Sequence, residues 1–155
     1  MKKYIFLLFI LFAGCKKEPP VIVVPENADS FIFGTSYGYC FGTNCTRLFK
    51  LEGDKLFPDV DLNHLTYNML GIFFQTESLP ADKVMLAESL KIQTPATLLN
   101  EPEEIIGCPD CRDQGVIYIE TRTGGQVRKW YIDPDVNEYA SFCDSVRAVV
   151  HKMPK

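Results

Sequence analysis

The sequence predicts an α+β domain in which a mostly antiparallel sheet carries helices packed on one face. Three patterns predict this fold: a series of short strand signals, a β-hairpin signal near the C-terminus, and an amphipathic helix after that hairpin. The chain from residue 30 to 155 suits one hydrophobic core and contains no second linker or repeat. We therefore expect a single domain over residues 30–155.

Short strand signals separated by turn residues fill the first part of the domain. Ser30–Phe33 and Thr46–Leu51 have the composition of strands, and Leu56–Phe57 begins a third. Glycines from Gly34 onward are expected to end the first strand, and Glu52–Lys55 to form the turn between the other two. Together these signals predict a short antiparallel meander.

The middle of the chain gives mixed signals. Asp61–Met69 fits either a helix or an irregular segment, and Gly71–Thr76 fits a strand. Pro80–Lys91 predicts a helix, because a proline and an aspartate suit its first turn. Thr94 is expected to cap one further helical turn that runs through Leu99.

The hairpin signal is the clearest pattern in the chain. Val116–Arg122 and Val127–Ile132 flank a Gly-Gly turn. Closing the hairpin on these glycines makes one face apolar and places opposite charges on the other, and a slip of one residue would mix the faces. The predicted register pairs Ile117 with Ile132, Tyr118 with Tyr131, Ile119 with Trp130, and Glu120 with Lys129.

An amphipathic helix is predicted over Val136–Lys152. Asp135 is expected to cap it, with Glu138 three residues further on. Its apolar side chains form one stripe, by which the helix is expected to cover the sheet. Cys143 lies on this stripe, so we expect it to be a small buried hydrophobe.

Four further cysteines form two close pairs, Cys40 with Cys45 and Cys108 with Cys111, in predicted loops. In an exported protein the first expectation for such pairs is disulfides, because disulfides persist outside the cytoplasm. Four cysteines allow three connectivities, and the sequence leaves all three open. A local bridge removes little chain entropy (about 2 kcal/mol), whereas a bridge between the pairs would contribute about 4 kcal/mol.

Two alternatives for the same four cysteines stay open. Two pairs with short spacers also suit a tetrahedral zinc–thiolate site, with zinc as cofactor. Cys108-Pro-Asp-Cys111 has the C-x-x-C form of thiol–disulfide redox proteins, although a reactive thiol usually needs a helix N-terminus. Here the motif leads into a strand, and Asp110 and Asp113 oppose thiolate formation. Apart from these alternatives, we expect no cofactor and no catalytic residue.

Three other motifs favour structural over catalytic roles. Gly34–Gly38 matches G-x-S-x-G, but it lacks the following helix that a nucleophile elbow requires. His64 is expected at the surface or in a cap, although Asp59 and Asp61 would complete a site for a hard metal ion. The acidic run Glu101–Glu104 is expected to be a solvated loop or a first helical turn.

The N-terminus has the pattern of an export signal. Lys2 and Lys3 precede ten apolar residues, Tyr4–Ala13, and Gly14 and Cys15 follow them. Ten residues make about 15 Å of helix, half of a bilayer core, so the segment is too short to span a membrane. The Leu-Phe-Ala-Gly-Cys ending resembles the lipobox of bacterial lipoproteins. That resemblance implies cleavage before Cys15, which then carries lipid.

A tether follows the cysteine, because residues 16–29 contain three prolines, which prevent a helix and favour an extended spacer. We therefore expect a signal peptide over 1–14, and the lipidated cysteine with its tether over 15–29. The formal net charge is −4, and loss of the signal removes two lysines and no acidic residue. An acidic surface repels phosphate, so nucleic acid is not an expected partner, whereas the lipid would hold the protein to a membrane.

The stretches Phe33–Cys45 and Gly107–Gly115 resemble those of small uncharacterised lipoproteins from Bacteroidota. This resemblance implies an exported, lipid-anchored domain and supplies no catalytic residue. We expect a protein of the bacterial cell envelope, anchored in the outer membrane, whose domain binds an unknown protein or small-molecule ligand. Tyr37 and Tyr39, in the glycine-rich loop, are the contact candidates, with packing in the core or a turn as the alternative.

Overall fold

The fold is built around a β-sheet. The computed structural model describes residues 29–40, 45–60 and 72–154. Within these ranges six strands form a sheet in the order β3-β2-β1-β5-β6-β4. The strands are β1 (Ser30–Ser36), β2 (Thr46–Glu52), β3 (Lys55–Pro58), β4 (Ile105–Ile106), β5 (Val116–Thr123) and β6 (Gln126–Ile132). The helices are α1 (Ala81–Ile92), α2 (Ala96–Asn100) and α3 (Ala140–Lys152).

The predicted α+β class is confirmed, but the sheet is mixed instead of following the mostly antiparallel pattern that we expected. Among the described strands, four pairings are antiparallel and the β4–β6 pairing is parallel. The sequence did not indicate β4, because two residues are too few to show a period. The Tyr131 N–H donates to the Glu104 carbonyl at 2.7 Å, and the Asp133 N–H to the Ile106 carbonyl at 2.9 Å. These bonds cover part of the outer edge of β6.

The predicted N-terminal meander is confirmed, since β1 pairs with β2 and β2 with β3 in antiparallel directions. The prediction that Gly34 ends the first strand is wrong, because β1 continues through it to Ser36. A Cβ atom at Gly34 would lie 2.0 Å from the carbonyl oxygen of Arg47 on β2. The glycine therefore permits the close approach of two neighbouring strands.

The C-terminal hairpin has the predicted register, and all four predicted pairs are present, Ile119 with Trp130 among them. Gly124 and Gly125 have φ values of +57° and +81°, as a two-residue turn with left-handed central residues requires. β5 also pairs with β1, where Phe33 lies opposite Ile119. The hairpin thus joins the meander through β1 and β5.

Side chains alternate between the two faces of the sheet, and the larger core lies on one of them. Phe31 and Phe33 of β1 belong to the larger cluster, whereas Ile32 between them belongs to a smaller one. Each large apolar side chain that becomes fully buried contributes roughly 2 kcal/mol, so the larger cluster dominates the stability. Its members from the helices are Val84, Ala87, Leu90, Leu98, Phe142, Cys143, Val146 and Val150.

The other face of the sheet holds a buried lysine among aromatic rings. Lys50 is 5% exposed, and its Nζ lies 2.8 Å from a carboxylate oxygen of Glu52. The same Nζ lies 5.2 Å from the ring centre of Phe57 and 5.5 Å from that of Phe74. The ion pair and the two cation–π contacts offset the cost of removing this charge from water.

Two helix starts differ from the predictions. Thr94 does not cap α2, because the helix begins one residue later, with Pro95 in the capping position, and the buried Thr94 hydroxyl has no hydrogen-bond partner. α3 begins at Ala140 and not at Val136. The Val136 N–H donates to the Asp133 carbonyl, and the Tyr139 N–H to the Val136 carbonyl, both at 3.1 Å. These consecutive turns replace the first predicted turn of the helix, so Asp135 cannot cap it.

Some expectations lie outside the described residues, namely the signal at 1–14, the tether up to residue 28, His64 and the helix considered for Asp61–Met69. Of the predicted strand at Gly71–Thr76, the described part forms an isolated bridge between Phe74 and Asp59. In the three described ranges, no helix has the length and apolar character needed to cross a bilayer.

Candidate functional site

The two cysteine pairs lie in two loops at the same end of the sheet. Cys40–Cys45 lies in the connection from β1 to β2, and Cys108–Cys111 in the connection from β4 to β5. Because Ser36, the last residue of β1, pairs with Val116, the first residue of β5, both loops adjoin at this end. We call it the loop end, and the opposite end, where β1 begins and the hairpin turns, the turn end.

The structure supports the disulfide prediction and joins each cysteine to its near neighbour in the chain. The Cα atoms are 5.3 Å apart in the Cys40–Cys45 pair and 5.6 Å apart in the Cys108–Cys111 pair, within the usual range for a disulfide. Of the three connectivities that the sequence left open, this one joins the pairs locally and leaves Cys143 free.

Asp110, between the cysteines of the second pair, connects the two loops. One of its carboxylate oxygens accepts the Gly38 N–H at 2.8 Å, and the other accepts the Gly115 N–H at 3.2 Å. The Asp110 N–H donates to the Gly115 carbonyl at 3.2 Å. Its φ of +60° is a left-handed conformation that aspartate tolerates better than most residues. One carboxylate therefore holds the first loop against the second.

Asp133, just after β6, holds the second loop from its other side. The carboxylate is 6% exposed and accepts the Cys108 N–H at 3.2 Å and the Asp135 N–H at 2.9 Å. The side-chain amide of Gln114 donates to it at 3.2 Å. Burial alone would raise the pKa of Asp133, but the hydrogen bonds from Asp135, Gln114 and Cys108 outweigh burial and hold that pKa below its ordinary value.

Gln114 links the second loop to itself and to α3. Its amide nitrogen donates to the Cys108 carbonyl at 2.9 Å, and its amide oxygen accepts the Arg112 N–H at 2.8 Å. The guanidinium of Arg147 on α3 donates to the Gln114 carbonyl at 3.2 Å. The loop is thus fixed by groups from β6, α3 and its own chain, and the sequence alone indicated none of these partners.

The two predicted contact residues differ in their surroundings. Tyr39 is 82% exposed, and Tyr37 is 38% exposed. A Cβ atom at Gly115 would lie 2.5 Å from a ring carbon of Tyr37, so this ring packs against the glycine. Tyr37 also donates its N–H to the Cys45 carbonyl at 2.9 Å. Tyr37 therefore has a packing role, whereas Tyr39 is largely exposed to solvent at the loop end.

The serine of the G-x-S-x-G motif is not placed as a nucleophile elbow. Ser36 is 6% exposed within β1, and its hydroxyl lies 2.8 Å from the hydroxyl of Thr46 on β2. A turn at Gly38 follows the strand, where an elbow needs a helix. The acidic run at residues 101–104 is a loop, as expected, in which Glu104 lies 3.6 Å from Lys129.

The described cysteines do not form a metal-binding group with other potential ligands. In residues 29–40, 45–60 and 72–154, no three side chains of His, Cys, Asp or Glu are arranged to hold a metal ion. Cys108–Cys111 lies in a turn and not at a helix N-terminus. The free Cys143 is fully buried as predicted, and burial raises the pKa of its thiol to about 11.

The candidate site is therefore the pair of disulfide loops with the two carboxylates that fix them. The sequence indicated the cysteines and Tyr39, but it did not indicate that Asp110 and Asp133 fix the loops, because Gly38 and Cys108, which they bind, lie 72 and 25 residues away in the chain. The one local signal for Asp110 was its type and position, because aspartate within a tight C-x-x-C turn often bonds to nearby backbone N–H groups. In comparisons with protein-family models, with curated proteins and with solved structures, the chain matches none.

Proposed function

We propose that this protein is a lipid-anchored protein of the bacterial cell envelope, held in the outer membrane through Cys15, and that its loop end binds a partner. The N-terminal apolar segment and the lipobox-like ending at Cys15 support the anchor. Two or three acyl chains attach a protein durably, where a single chain would not. The proposed domain is one α+β unit over residues 30–155, with the helices as a layer on one face of the mixed sheet.

One geometric observation carries the binding proposal: β1, the strand that follows the proposed tether in the sequence, begins at the end of the sheet opposite the disulfide loops. The tether leads into Ser30 at the start of β1, and the first loop leaves at Ser36. Six residue steps in a strand cover about 20 Å. A domain attached at Ser30 therefore presents its loop end on the side away from the attachment point.

The loop end also has the physical properties of a binding surface. Disulfides join the ends of its two loops, and Asp110 connects Gly38 to the second loop, so these described residues lose little conformational entropy when a partner binds. Tyr39 adds an exposed aromatic side chain, the type that is enriched at the centres of interfaces. The expected partner is a protein or a small-molecule ligand, because the net charge of −4 disfavours nucleic acid.

The anchor is tested by the Cys15→Ser variant expressed in a diderm bacterium. We expect the wild type to incorporate labelled palmitate and partition into detergent, and Cys15→Ser to lose both properties. Cys143→Ala is the control, because it also replaces a cysteine outside the two disulfides but leaves the lipobox intact. If Cys15→Ser kept its palmitate label and its partitioning, the anchor proposal would be wrong.

The binding surface is tested by a photo-crosslinking amino acid placed at Tyr39 in living cells. Ile92 on α1 is the matched control, since it is 84% exposed against 82% for Tyr39. We expect discrete adducts from position 39 that are absent from position 92. These adducts should disappear when the unlabelled wild-type domain, which carries Tyr39, is present in excess as a competitor. Equal yields at the two positions, or adducts from position 92 alone, would contradict the loop end as the binding surface.

The alternative roles of the four cysteines, a zinc–thiolate site or redox chemistry, predict a different chemical state. Non-reducing peptide mapping with elemental analysis distinguishes them: four free thiols with stoichiometric zinc would replace the disulfide interpretation. Two locally bridged pairs without zinc would agree with the rigid binding surface.

A further inference from the structure

The two disulfides differ in what their opening would require. Cys108 and Cys111 are both exposed, whereas in the other pair Cys40 is exposed and Cys45 is only 5% exposed. A thiolate that attacked the Cys40 sulfur would have to expel the Cys45 thiolate into a buried site, where burial disfavours the charged form. Attack on either sulfur of the second bridge instead expels a thiolate at an exposed site, where solvent screens the unfavourable charges of Asp110 and Asp113.

The second bridge also controls the residue that connects the loops. Asp110 lies inside the ring that Cys108–Cys111 closes, and it is held there at a φ of +60°. With the bridge open, two backbone bonds still hold the turn: the Cys111 N–H donates to the Cys108 carbonyl at 3.3 Å, and the Asp110 N–H donates to the Gly115 carbonyl at 3.2 Å. The left-handed backbone of Asp110 then loses its covalent restraint, which lowers the cost of relaxation to a right-handed conformation. Such relaxation moves its carboxylate away from the Gly38 N–H.

We propose that Cys108–Cys111 is a redox-labile site for dithiol reductants, and that opening it releases Gly38, two residues before Cys40, from the carboxylate of Asp110. A thiolate of the reductant attacks one sulfur, the Cys108–Cys111 bond breaks, and the other sulfur leaves as a thiolate that takes a proton from water. The second thiol of the reductant then resolves the mixed disulfide. The protein gains two electrons and two protons, and the reductant becomes a disulfide.

This inference rests on the proposed function, because it describes how binding at the same loop end is regulated. In the reduced state the surface that carries Tyr39 loses its rigid support from the second loop, so a partner that needs the ordered loop would bind more weakly. The test reads the structure of the isolated protein without any partner. A failed partner search therefore leaves this test intact, and a failed test leaves the binding surface proposal standing.

The experiment is a graded reduction of the full chain in detergent with dithiothreitol. Peptide mapping identifies which bridge opens, and hydrogen exchange followed by NMR reports the Gly38 amide. We expect Cys108–Cys111 to open first and the Gly38 amide then to exchange about tenfold faster, while amides within β1 and β5 keep their protection. Earlier opening of Cys40–Cys45, an unchanged Gly38 amide, or loss of protection throughout the sheet would each overturn the proposal.

Two aspartate variants test the contact between the Asp110 carboxylate and the Gly38 N–H while both disulfides stay closed. Asp110→Asn keeps a side chain that tolerates left-handed backbone but replaces one of the two accepting oxygens by an NH₂ group. Asp113→Asn is the matched control, because Asp113 also has a φ of +60° and is exposed. The remaining oxygen can accept from only one of the two N–H groups, so we expect faster exchange of the Gly38 or the Gly115 amide in Asp110→Asn alone. The same exchange rate in both variants would refute the proposed connection.

Discussion

The two ends of the sheet use glycine in opposite ways. At the turn end, Gly125 has a φ of +81° and nothing within 4 Å of the position where a Cβ would lie. At the loop end, Gly115 has the same φ of +81°, but a Cβ there would lie 2.5 Å from the Tyr37 ring and 2.9 Å from the Ser36 carbonyl. Apart from one bond, from the Gly124 N–H to the Asp29 carboxylate at 2.8 Å, the turn end depends on local backbone geometry, whereas the loop end depends on several contacts between distant parts of the chain.

This difference explains how each end is stabilised. A two-residue turn needs only residues that accept left-handed backbone, which the Gly-Gly sequence provides by itself. The loop end needs partners from several elements: Asp110 for the first loop, Asp133 after β6, and Arg147 on α3. We therefore expect substitutions at the loop end to cost more stability than chemically identical substitutions at the turn end.

The largest effect is expected from Gly115→Ala. The left-handed backbone penalises alanine by about 1–2 kcal/mol, and the overlap with the Tyr37 ring and the Ser36 carbonyl adds about 2 kcal/mol more. Gly125→Ala has the same φ and carries the backbone penalty alone. We expect a loss of unfolding free energy of about 3–4 kcal/mol for Gly115→Ala and of about 1–2 kcal/mol for Gly125→Ala, measured by urea denaturation.

Equal losses for the two glycine variants would contradict this contrast between the ends. Such a result would mean that Tyr37 moves aside at no cost, and that the loop end is not closely packed around Gly115. The same measurement on Gly115→Ala with Tyr37→Ala checks the cause, since removing the ring should restore part of the lost stability.

An intermediate effect is expected from Asp133→Asn. Both oxygens of the carboxylate accept N–H groups, so the amide must point its own NH₂ group at a donor and lose at least one hydrogen bond. We expect a loss of about 2 kcal/mol at neutral pH. Asp135→Asn is the control, because its exposed carboxylate lies 3.6 Å from an exposed Arg112, a contact worth less than about 0.5 kcal/mol.

The cost of Asp133→Asn should also depend on pH. The folded-state pKa of Asp133 lies below its ordinary value, so its stabilising contribution is complete above the unfolded-state pKa of about 3.9. That contribution disappears as the pH falls through the depressed folded-state pKa. Urea denaturation should therefore show a difference between wild type and Asp133→Asn that shrinks in strong acid. A difference independent of pH would exclude this carboxylate as its source.

The sequence predicted the turn end far better than the loop end, and the reason is the range of the interactions. The register of the hairpin follows from the alternation of residues 116–132, which is enough to predict the pairing of Ile119 with Trp130. The start of α3 was wrong because the turns after Asp133 compete with the helix, and their stabilising partners, such as Cys108, lie elsewhere in the chain. Gly34 was misjudged for the same reason, since its role depends on the neighbouring strand.

The candidate site shows the same limit. Cysteine spacing suggested bridges but could not choose among three connectivities, because that choice depends on which loops the fold brings together. Asp110 looked like a residue that merely disfavours thiolates, yet its carboxylate accepts N–H groups from both loops. This role of the carboxylate could not be predicted from the sequence, because its partner Gly38 lies 72 residues away and only the fold brings the two together.

The smallest effect is expected from Gly124→Asn, which tests how far the turn end tolerates change. Gly124 has a φ of +57°, which asparagine accepts, and no atom lies within 4 Å of its Cβ position. The substitution creates Asn-Gly, a favoured two-residue hairpin turn, and reduces the freedom of the unfolded chain. The backbone N–H that donates to Asp29 at 2.8 Å stays in place. We expect urea denaturation to show unchanged stability or a gain of up to about 0.5 kcal/mol, whereas a loss above about 1 kcal/mol would mean that the turn end also depends on contacts beyond its own backbone.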